Sequence, residues 1–483
     1  MKKYILALDE GTTSARCIMF DRELNVISSS QQNFTQIYPR PGWVEQDPLE
    51  LYAVQYAVLC ECIAKSGISP DEIAAIGIAN QRETTVVWER ATGRPIYNAI
   101  VWQCRRTKDM CKNLDEDYIS SVTGLRPDAY FSATKIKWIY DNVPGARDKD
   151  LMFGTVDSWL LYKLCGVHAT DETNASRTML YDILHSRWDR TLLETFGIPE
   201  SILPQVKKSG SFFGTAEIMG AKIPVCGIAG DQQAALFGQC CFSSGSAKAT
   251  YGTGCFLLMN TGGNRISSKS GLVTSLGATL ESEQTQFVLE GSVFICGAVL
   301  QWLRDGLRFF SDSADSEYFA SKVESSGGVY IVPAFSGLGA PYWDSDARGA
   351  VFGLTRGTTR DHLTRAALES IAFQAEDVLS AMRADTNQPL SSLKVDGGAA
   401  ANGLLMQFQS DISNTRIIRA ESNEATARGA AMLAGLTCGF FPSREYITER
   451  TRVKRVFEPN LSEKVRKEKL LEWQKAVSAC RKF

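Results

Sequence analysis

A short apolar run, a Gly/Thr-rich turn and a second apolar run occur twice in this chain, once at its start and once near its middle. Tyr4-Ile-Leu-Ala-Leu-Asp9 leads into Glu10-Gly11-Thr12-Thr13-Ser14, after which Ala15 to Phe20 is apolar again. Ala249-Thr-Tyr-Gly252-Thr253-Gly254 leads in the same way into Cys255-Phe-Leu-Leu-Met259. Apolar runs of this length between turn residues read as buried strands. One Gly/Thr echo is a weak signal by itself, but its place about half-way along 483 residues predicts a duplication into two lobes of like plan. A chain of this length corresponds to roughly two to four domains.

The rest of the pattern agrees with an α/β class with mixed sheets. Asp21 to Asn25 is a turn, and Val26 resumes the strand pattern. Pro48 predicts a helix to about Lys65 with Asp47 as its N-cap. Ala74 to Ala79 reads as a buried strand, followed by Thr84 to Trp88 and the turn Ala91 to Pro95. In the second half, helices from His362 to about Met382 and from Asn402 to about Ile412 flank the strand Leu393 to Asp396. The small, polar Ser243-Ser-Gly-Ser246 places the lobe boundary, giving 1–243 and 244–483. The charged, helically spaced Leu461 to Phe483 predicts a terminal surface helix.

Several classes of function are disfavoured. Lys and Arg total 52 against 54 Asp and Glu, a formal net charge of -2, which leaves no footprint for nucleic acid and no polybasic membrane patch. No apolar run approaches the roughly 18 residues of a membrane span, so no integral membrane protein is expected. Only five apolar residues separate Lys3 from Asp9, too few for a secretory core. The 13 cysteines are odd in number and scattered, without C-x2-C spacing, and the three histidines (His168, His185, His362) lie near no cysteine cluster. Reduced thiols in a cytoplasmic protein are the expectation, rather than a zinc site.

Five segments could carry chemistry. In Asp9-Glu-Gly-Thr-Thr-Ser14, Gly11 permits a tight reversal, backbone N–H groups and the hydroxyls of Thr12, Thr13 and Ser14 can converge on phosphate, and Arg16 can add charge. Asp9 suits a magnesium ion, directly or through water. An ordinary hairpin turn would use the same residues. In Gly227-Ile-Ala-Gly-Asp231-Gln232-Gln233, Asp231 reads either as an N-cap or as a general base, a role open to a carboxylate because no histidine lies in a Gly-rich motif. Arg82-Glu83, after the strand Ala74 to Ala79, is either a structural ion pair or a donor fork and acceptor pair for a small polyol. Trp102 offers an apolar wall or packs in the core. Finally, Thr250-Tyr-Gly252-Thr253-Gly254 and Val395-Asp-Gly397-Gly398-Ala-Ala-Ala-Asn402 are either phosphate or nucleotide turns or plain connections. No Walker A run, G-x-G-x-x-G kinase loop or H-R-D is present. Two Gly/Thr turns, one per lobe, and two aspartates suit a nucleotide held between lobes.

These residues carry a resemblance. Asp9-Glu-Gly-Thr-Thr-Ser14, Gly42-Trp-Val-Glu-Gln-Asp-Pro48, Asn80-Gln-Arg-Glu-Thr84, Asn98-Ala-Ile-Val-Trp-Gln-Cys-Arg-Arg-Thr107, Asp171-Glu-Thr-Asn-Ala-Ser-Arg-Thr-Met179, Gly230-Asp-Gln-Gln-Ala-Ala-Leu-Phe-Gly238, Tyr251-Gly-Thr-Gly-Cys-Phe256 and Asp396-Gly-Gly398 resemble the FGGY carbohydrate-kinase family, in order from about Tyr4 to Phe440. The Asn-Gln-Arg-Glu-Thr and Gly-Asp-Gln-Gln runs are similar to members that act on glycerol rather than on pentuloses or gluconate.

The resemblance implies two actin-like (ribonuclease H-like) lobes with a closing cleft, and in-line transfer of the ATP γ-phosphoryl to glycerol, giving sn-glycerol 3-phosphate. It implies that Arg82, Glu83, Tyr130, Asp231 and Gln232 hold glycerol, with Trp102 and Phe256 as apolar wall and Asp231 as base. Mg²⁺ would sit by Asp9 and Asp231. Thr12, Thr13, Ser14, Arg16 and Thr253 would meet the ATP phosphates, while Gly297, Gln301, Gly398 and Asn402 would line the nucleotide. Lobe 1–243 would bind polyol and phosphate and lobe 244–483 the nucleotide, in a homo-oligomer (dimer or tetramer). The other readings are a family member acting on a different polyol or ketose, and a non-catalytic nucleotide-dependent sensor of actin-like fold.

Three departures stand out. Glu10 replaces the usual Gln, an extra carboxylate beside Asp9 expected to alter metal binding. Gly220-Ala-Lys-Ile-Pro224 is shorter than the loop that binds an inhibitory sugar bisphosphate in some relatives. Ser209-Gly-Ser-Phe-Phe-Gly214 lacks the histidine that others have phosphorylated.

Overall fold

In the computed structural model, which describes residues 2–344, 346–421 and 424–483, thirteen strands build two principal sheets. The first contains β1 (Tyr4–Glu10), β2 (Ser14–Phe20), β3 (Val26–Asn33), β4 (Ile73–Asn80), β5 (Gly214–Ile218) and β6 (Ala221–Gly230), in the order β5-β6-β4-β1-β2-β3. The second contains β7 (Ala247–Tyr251), β8 (Cys255–Gly262), β9 (Val273–Leu276), β10 (Phe287–Val293), β11 (Ser392–Asp396), β12 (Arg416–Ala420) and β13 (Val453–Phe457), in the order β9-β10-β8-β7-β11-β12-β13. The helices used below are α1 (Pro48–Ser66), α2 (Asp231–Gly238), α3 (Gly297–Asp305), α4 (Arg360–Thr386), α5 (Gly403–Ser413), α6 (Ala425–Thr437) and α7 (Glu463–Cys480).

The two sheets repeat one plan. In the first, β1 pairs antiparallel with β2 and parallel with β4, β4 runs parallel to β6, and β5 closes the edge antiparallel. In the second, β7, β8, β11, β12 and β13 stand in the same relations. The duplication expected from the Gly/Thr echo is therefore present as sheet topology. The repeat differs at the antiparallel edge: β5 precedes its partner β6 in the chain, whereas β13 follows its partner β12.

Local chemistry explains the elements. The Asp47 side chain accepts from the Leu49 N–H at 2.8 Å, Pro48 occupies the first turn of α1, and Gly67 ends it in the left-handed region. The central strand β4, Ile-Ala-Ala-Ile-Gly-Ile-Ala-Asn, is almost wholly buried, as a parallel strand covered on both faces must be. The hairpin joining β5 to β6 turns on Met219 and Gly220, both at positive φ, so of the stretch Gly220 to Pro224 read as a shortened loop only Gly220 is turn, and Ala221 to Pro224 are paired residues of β6.

Two placements differ from the sequence reading. Thr84 to Trp88 does not extend the main sheet: Val86–Glu89 pairs instead with Leu151–Gly154 in a two-stranded sheet. The terminal helix α7 also buries a stripe, with Trp473 stacked on Phe373 of α4 at 5.2 Å between ring centroids. Its charges hid a hydrophobic seam that period counting alone did not weigh.

The chain also crosses between sheets. α6, from the second half, packs on the first sheet, and Ala427, Ala430 and Leu433 share a core with Ile5, Ala7 and Ala79. α6 and α2 meet at glycines: a Cβ on Gly429 would lie 1.8 Å from the Ala234 carbonyl oxygen. Only hydrogen at that position permits the crossing.

Candidate active site

The strands β1, β4 and β6 end level with one another, with Glu10 opposite Asn80 and Asn80 opposite Gly230. Their carboxyl ends therefore present three loops side by side, the usual position for a ligand site on parallel strands. These are the turn 10–14, the run 80–84 and the start of α2.

The turn 10–14 is closed by a 3.0 Å bond from the Gly11 N–H to the Ser14 carbonyl. Three glutamine side chains brace it. Gln36 and Gln46 donate to the Thr12 carbonyl at 3.0 and 2.7 Å, and Gln81 donates to the Gly11 carbonyl at 3.1 Å. The Thr13 hydroxyl stands exposed at the tip, while the Ser14 hydroxyl accepts from Gln31 at 3.0 Å. Arg16, opposite Asp9 across the hairpin, is paired with Glu424 at the start of α6. The phosphate contact expected of it thus competes with a carboxylate from the other half of the chain.

Arg82 is the centre of the polar cluster. Its two terminal nitrogens donate to the two Glu290 oxygens at 2.7 Å each, Nη1 also reaches Gln233 at 3.2 Å, and Nε lies 3.4 Å from Asp231 Oδ1. Arg177 donates from Nε to Glu83 at 2.5 Å and lies 3.4 Å from Glu290. Glu83 holds a left-handed backbone (φ 62°), a conformation that costs a non-glycine residue about 1 kcal/mol and is typical of functional loops. Burial would raise the Glu290 carboxyl, but Arg177 and Arg82 overcome it and hold the group down to about 2. For Glu83 burial wins over Arg177 and Arg82, and its carboxyl is raised.

Asp231 opens α2 but does not cap it. Gly230 holds the cap position, and Asp231, one residue inside, accepts from the Gln232 N–H at 2.7 Å. Its side chain stays 28% exposed beside Arg82. Burial raises its carboxyl against the pull of Arg82 and Lys248, a direction that strengthens a base. Gln232 is held by the Lys248 ammonium through its amide oxygen.

The three aromatic residues come together. The ring centroid of Trp102 lies 5.4 Å from Tyr130 and 6.3 Å, edge-on, from Phe256 of β8. The Trp102 indole N–H also donates to the Thr12 hydroxyl at 2.9 Å, joining these rings to the turn 10–14. Tyr130 is buried over Arg177, 5.2 Å from its ring, and its segment is pinned by Lys135, which donates to the carbonyls of Ala129, Tyr130 and Phe131 at 2.6, 2.6 and 3.0 Å.

On the second sheet, the Gly252 N–H closes the turn on the Gly254 carbonyl at 2.9 Å, as Gly11 does in the first. The start of α3 rests on this turn: the Gly297 N–H donates to Gly252 at 2.9 Å, and the Cys296 and Ala298 N–H groups donate to Thr253 at 2.8 and 3.2 Å. Gly397 (φ 91°) passes so close to Tyr251 that a Cβ would lie 2.5 Å from its carbonyl oxygen. The segments 252–254, 297–301 and 397–402 thus gather at one end of the second sheet. Gly398 and Gln301 are exposed there, and Asn402 caps α5 by accepting from Leu405 at 2.9 Å. Gln301 makes no contact that ties it to the other candidates.

The residues fit a magnesium ion. The Asp9 carboxylate is half-buried and makes no hydrogen bond. Burial raises it to about 7, Arg16 opposes this and the negative Asp231 adds to it. Two carboxylates that repel each other beside a phosphate turn match an ion that takes one or two carboxylates plus phosphate oxygens. Among the described residues no group of three or more His, Cys, Asp or Glu forms a self-sufficient cage. Glu10, by contrast, is fully buried with both oxygens unpartnered, and its carboxyl is raised well above the usual range by burial and then by Asp9. It turns into the interior rather than towards the cleft.

Sequence reasoning missed Glu290, Arg177, Lys248 and Gln233. Arg177 lay within a recognised run without a role, and Gln233 adjoined two assigned residues. Nothing local marked Glu290 or Lys248, which sit mid-strand in apolar surroundings.

The N-terminal domain model of the FGGY family of carbohydrate kinases matches residues 4–238, and the C-terminal domain model matches residues 247–438. The chain is 58% identical to glycerol kinase of Clostridium beijerinckii over 99% of this chain and 98% of that one. It is 56% identical to glycerol kinase of Carboxydothermus hydrogenoformans over 100% and 99%. Among solved structures it resembles Plasmodium falciparum glycerol kinase with ADP, with a TM-score of 0.92 and 38% identity over 99% and 98% of the chains. Lactobacillus acidophilus gluconate kinase, at 21% identity and a TM-score of 0.89 over 100% and 99%, shares the fold. The chain belongs to the FGGY family of carbohydrate kinases.

Proposed function

We propose that this FGGY carbohydrate kinase transfers the γ-phosphoryl group of ATP to glycerol, with Asp231 as the base. The observation that carries the reading is the Asp231 carboxylate at the end of β6, partly open to solvent and 3.4 Å from Arg82. Relatives 58% and 56% identical over the length of the chain are glycerol kinases.

In this reading glycerol lies against Trp102, Tyr130 and Phe256, with its hydroxyls met by Arg82, Glu83, Asp231 and Gln232. Arg82 brings most of its donors already committed to Glu290, Gln233 and Asp231, so it works chiefly by holding the pocket's shape. A glycerol hydroxyl gives its proton to Asp231 as its oxygen bonds to the γ-phosphorus, and the bond to the β-phosphate oxygen breaks to release ADP. Such a transfer depends mainly on in-line positioning and charge neutralisation. Thr12, Thr13, Ser14 and Thr253 meet the phosphates with Arg16, while Gly297, Gln301, Gly398 and Asn402 line the nucleotide. Asp9 and Asp231 would hold magnesium, which when bound neutralises phosphate charge.

The division of labour between 1–243 and 244–483 belongs to the same reading, as do a cytoplasmic location and a homo-oligomeric state. All thirteen thiols are free, which supports a reducing compartment, and no described helix is long and apolar enough to cross a membrane.

The test is a coupled assay of ADP release with a panel of polyols and ketoses. Glycerol should turn over fastest. Xylulose or gluconate turning over as fast as glycerol would overturn the substrate assignment, and ATP binding without ADP release on any polyol would make the chain a sensor.

A further inference from the structure

Resting on the reading that Gln232 binds the polyol, we propose that Lys248 is a positioning residue of the active site, acting through Gln232 to present only an N–H donor to the substrate.

Lys248 lies in β7, in the second half of the chain, and is fully buried. Its ammonium donates to the Gln232 amide oxygen and, at 2.9 Å, to the Thr250 hydroxyl. An ammonium has donors and no acceptor, so only one of the two orientations of the Gln232 amide can face it. The amide oxygen is consumed by that contact. The Gln232 Nε2, which has no hydrogen-bond partner among the described residues, is the face that remains. The neighbouring Gln233 is fixed by the same device: its amide oxygen accepts from Arg82, and its Nε2 donates to Ser275 and Leu276 at 3.3 Å each.

The run Asp231-Gln232-Gln233 is thus set by two buried cations, Arg82 from the first half and Lys248 from the second. Lys248 is not held there by an anion alone, since both its hydrogen-bond partners are neutral. Asp396, Asp231 and Glu290 oppose the cost of burying this ammonium through space, but none of these carboxylates takes its hydrogen bonds, which go to Gln232 and Thr250. What it secures is the orientation of an amide at the mouth of the polyol pocket. Because α2 continues from β6 of the first sheet and β7 belongs to the second, this contact ties polyol recognition to the junction of the two sheets.

The experiment compares wild type with Lys248→Met, Gln232→Glu, Gln232→Ala and the Lys248→Met/Gln232→Ala double variant, by ADP release at varied glycerol and varied ATP. Lys248→Met keeps the volume of the stem and removes the donors. It should raise the glycerol KM at least tenfold while the ATP KM stays within twofold. The double variant should be no worse than the poorer single one, because both act through one contact. Gln232→Glu retains an oxygen for Lys248 and removes the N–H donor, so it should stay folded and also raise the glycerol KM at least tenfold.

A folded Lys248→Met enzyme whose glycerol KM lies within twofold of wild type, or single-variant losses that multiply, would overturn the proposal. Should Lys248→Met not fold, Gln232→Glu decides, and an unchanged glycerol KM there overturns it. Wild type that ignores glycerol but phosphorylates another polyol refutes the substrate reading instead, and the same comparison then runs on that polyol.

Discussion

Arg82 and Glu290 form a two-point ion pair, both hydrogen bonds 2.7 Å long, although 208 positions separate them in the chain. Arg82 follows a strand of the first sheet and Glu290 lies in a strand of the second. The pair is buried, and Arg177 shares the carboxylate. Removing one partner of such a pair leaves uncompensated charge, which costs about 3–5 kcal/mol. Glu290→Gln, which removes the carboxylate the two guanidiniums share and leaves Arg177 on Glu83 and Arg82 beside Asp231, should lower unfolding stability towards that range, as read by denaturant titration. A loss under about 1 kcal/mol would mean that the pair adds little to holding the halves together.

Asp231→Asn preserves shape and deletes the base. Glycerol binding, measured by calorimetry, should change little, while turnover falls on the order of 10²–10⁴-fold. A near-normal rate would remove Asp231 as the proton acceptor.

Trp102→Phe separates two functions of one side chain. The apolar wall stays, and the 2.9 Å bond to the Thr12 hydroxyl is lost. A neutral hydrogen bond contributes about 1 kcal/mol, so kcat/KM for ATP should fall about fivefold, with glycerol KM less affected. Equal losses for both substrates would show that the ring rather than the N–H braces the turn.

The pH dependence of stability has an identifiable source outside the site. Asp377 in α4 accepts from the Trp473 indole at 2.8 Å and is raised to about 7 by burial, against hydrogen bonds from Trp473 and Tyr342. The folded state therefore holds a proton that the unfolded chain gives up near pH 4. Stability from this group is full below about pH 4 and is lost as pH rises through about 7, by at most about 1.4 kcal/mol per pH unit. Asp377→Asn should make the fall in unfolding free energy between about pH 4 and 7 shallower, by at most about 1.4 kcal/mol per pH unit, leaving the part due to the similarly raised Asp9 and Asp157. An unchanged slope would place the titration elsewhere.

Much of the architecture was legible in the sequence. The hairpin turns at Gly11 and Gly252, the Asp47 cap and the strand Leu393 to Asp396 declare themselves over a few residues, because turn chemistry and alternation act locally. Trp102, Phe256 and Asp231 stand in runs that carry the family resemblance, and the structure brings the rings of Trp102, Tyr130 and Phe256 together. From the sequence, Glu10 is an extra carboxylate beside Asp9 expected to alter metal binding. A strand alternates its faces, and side-chain direction put Glu10 in the interior instead.

Sequence alone determined the duplicated plan, the element boundaries near their caps and the residue types available at the strand ends. Only the tertiary structure decided which buried charge meets which partner. Glu290 finds Arg82 because a strand of the second sheet comes against the loop that ends a strand of the first, and Glu424 finds Arg16 because α6 packs on the first sheet. Such pairings, 208 and 408 positions apart in the chain, depend on distance in space, which the order of residues does not express.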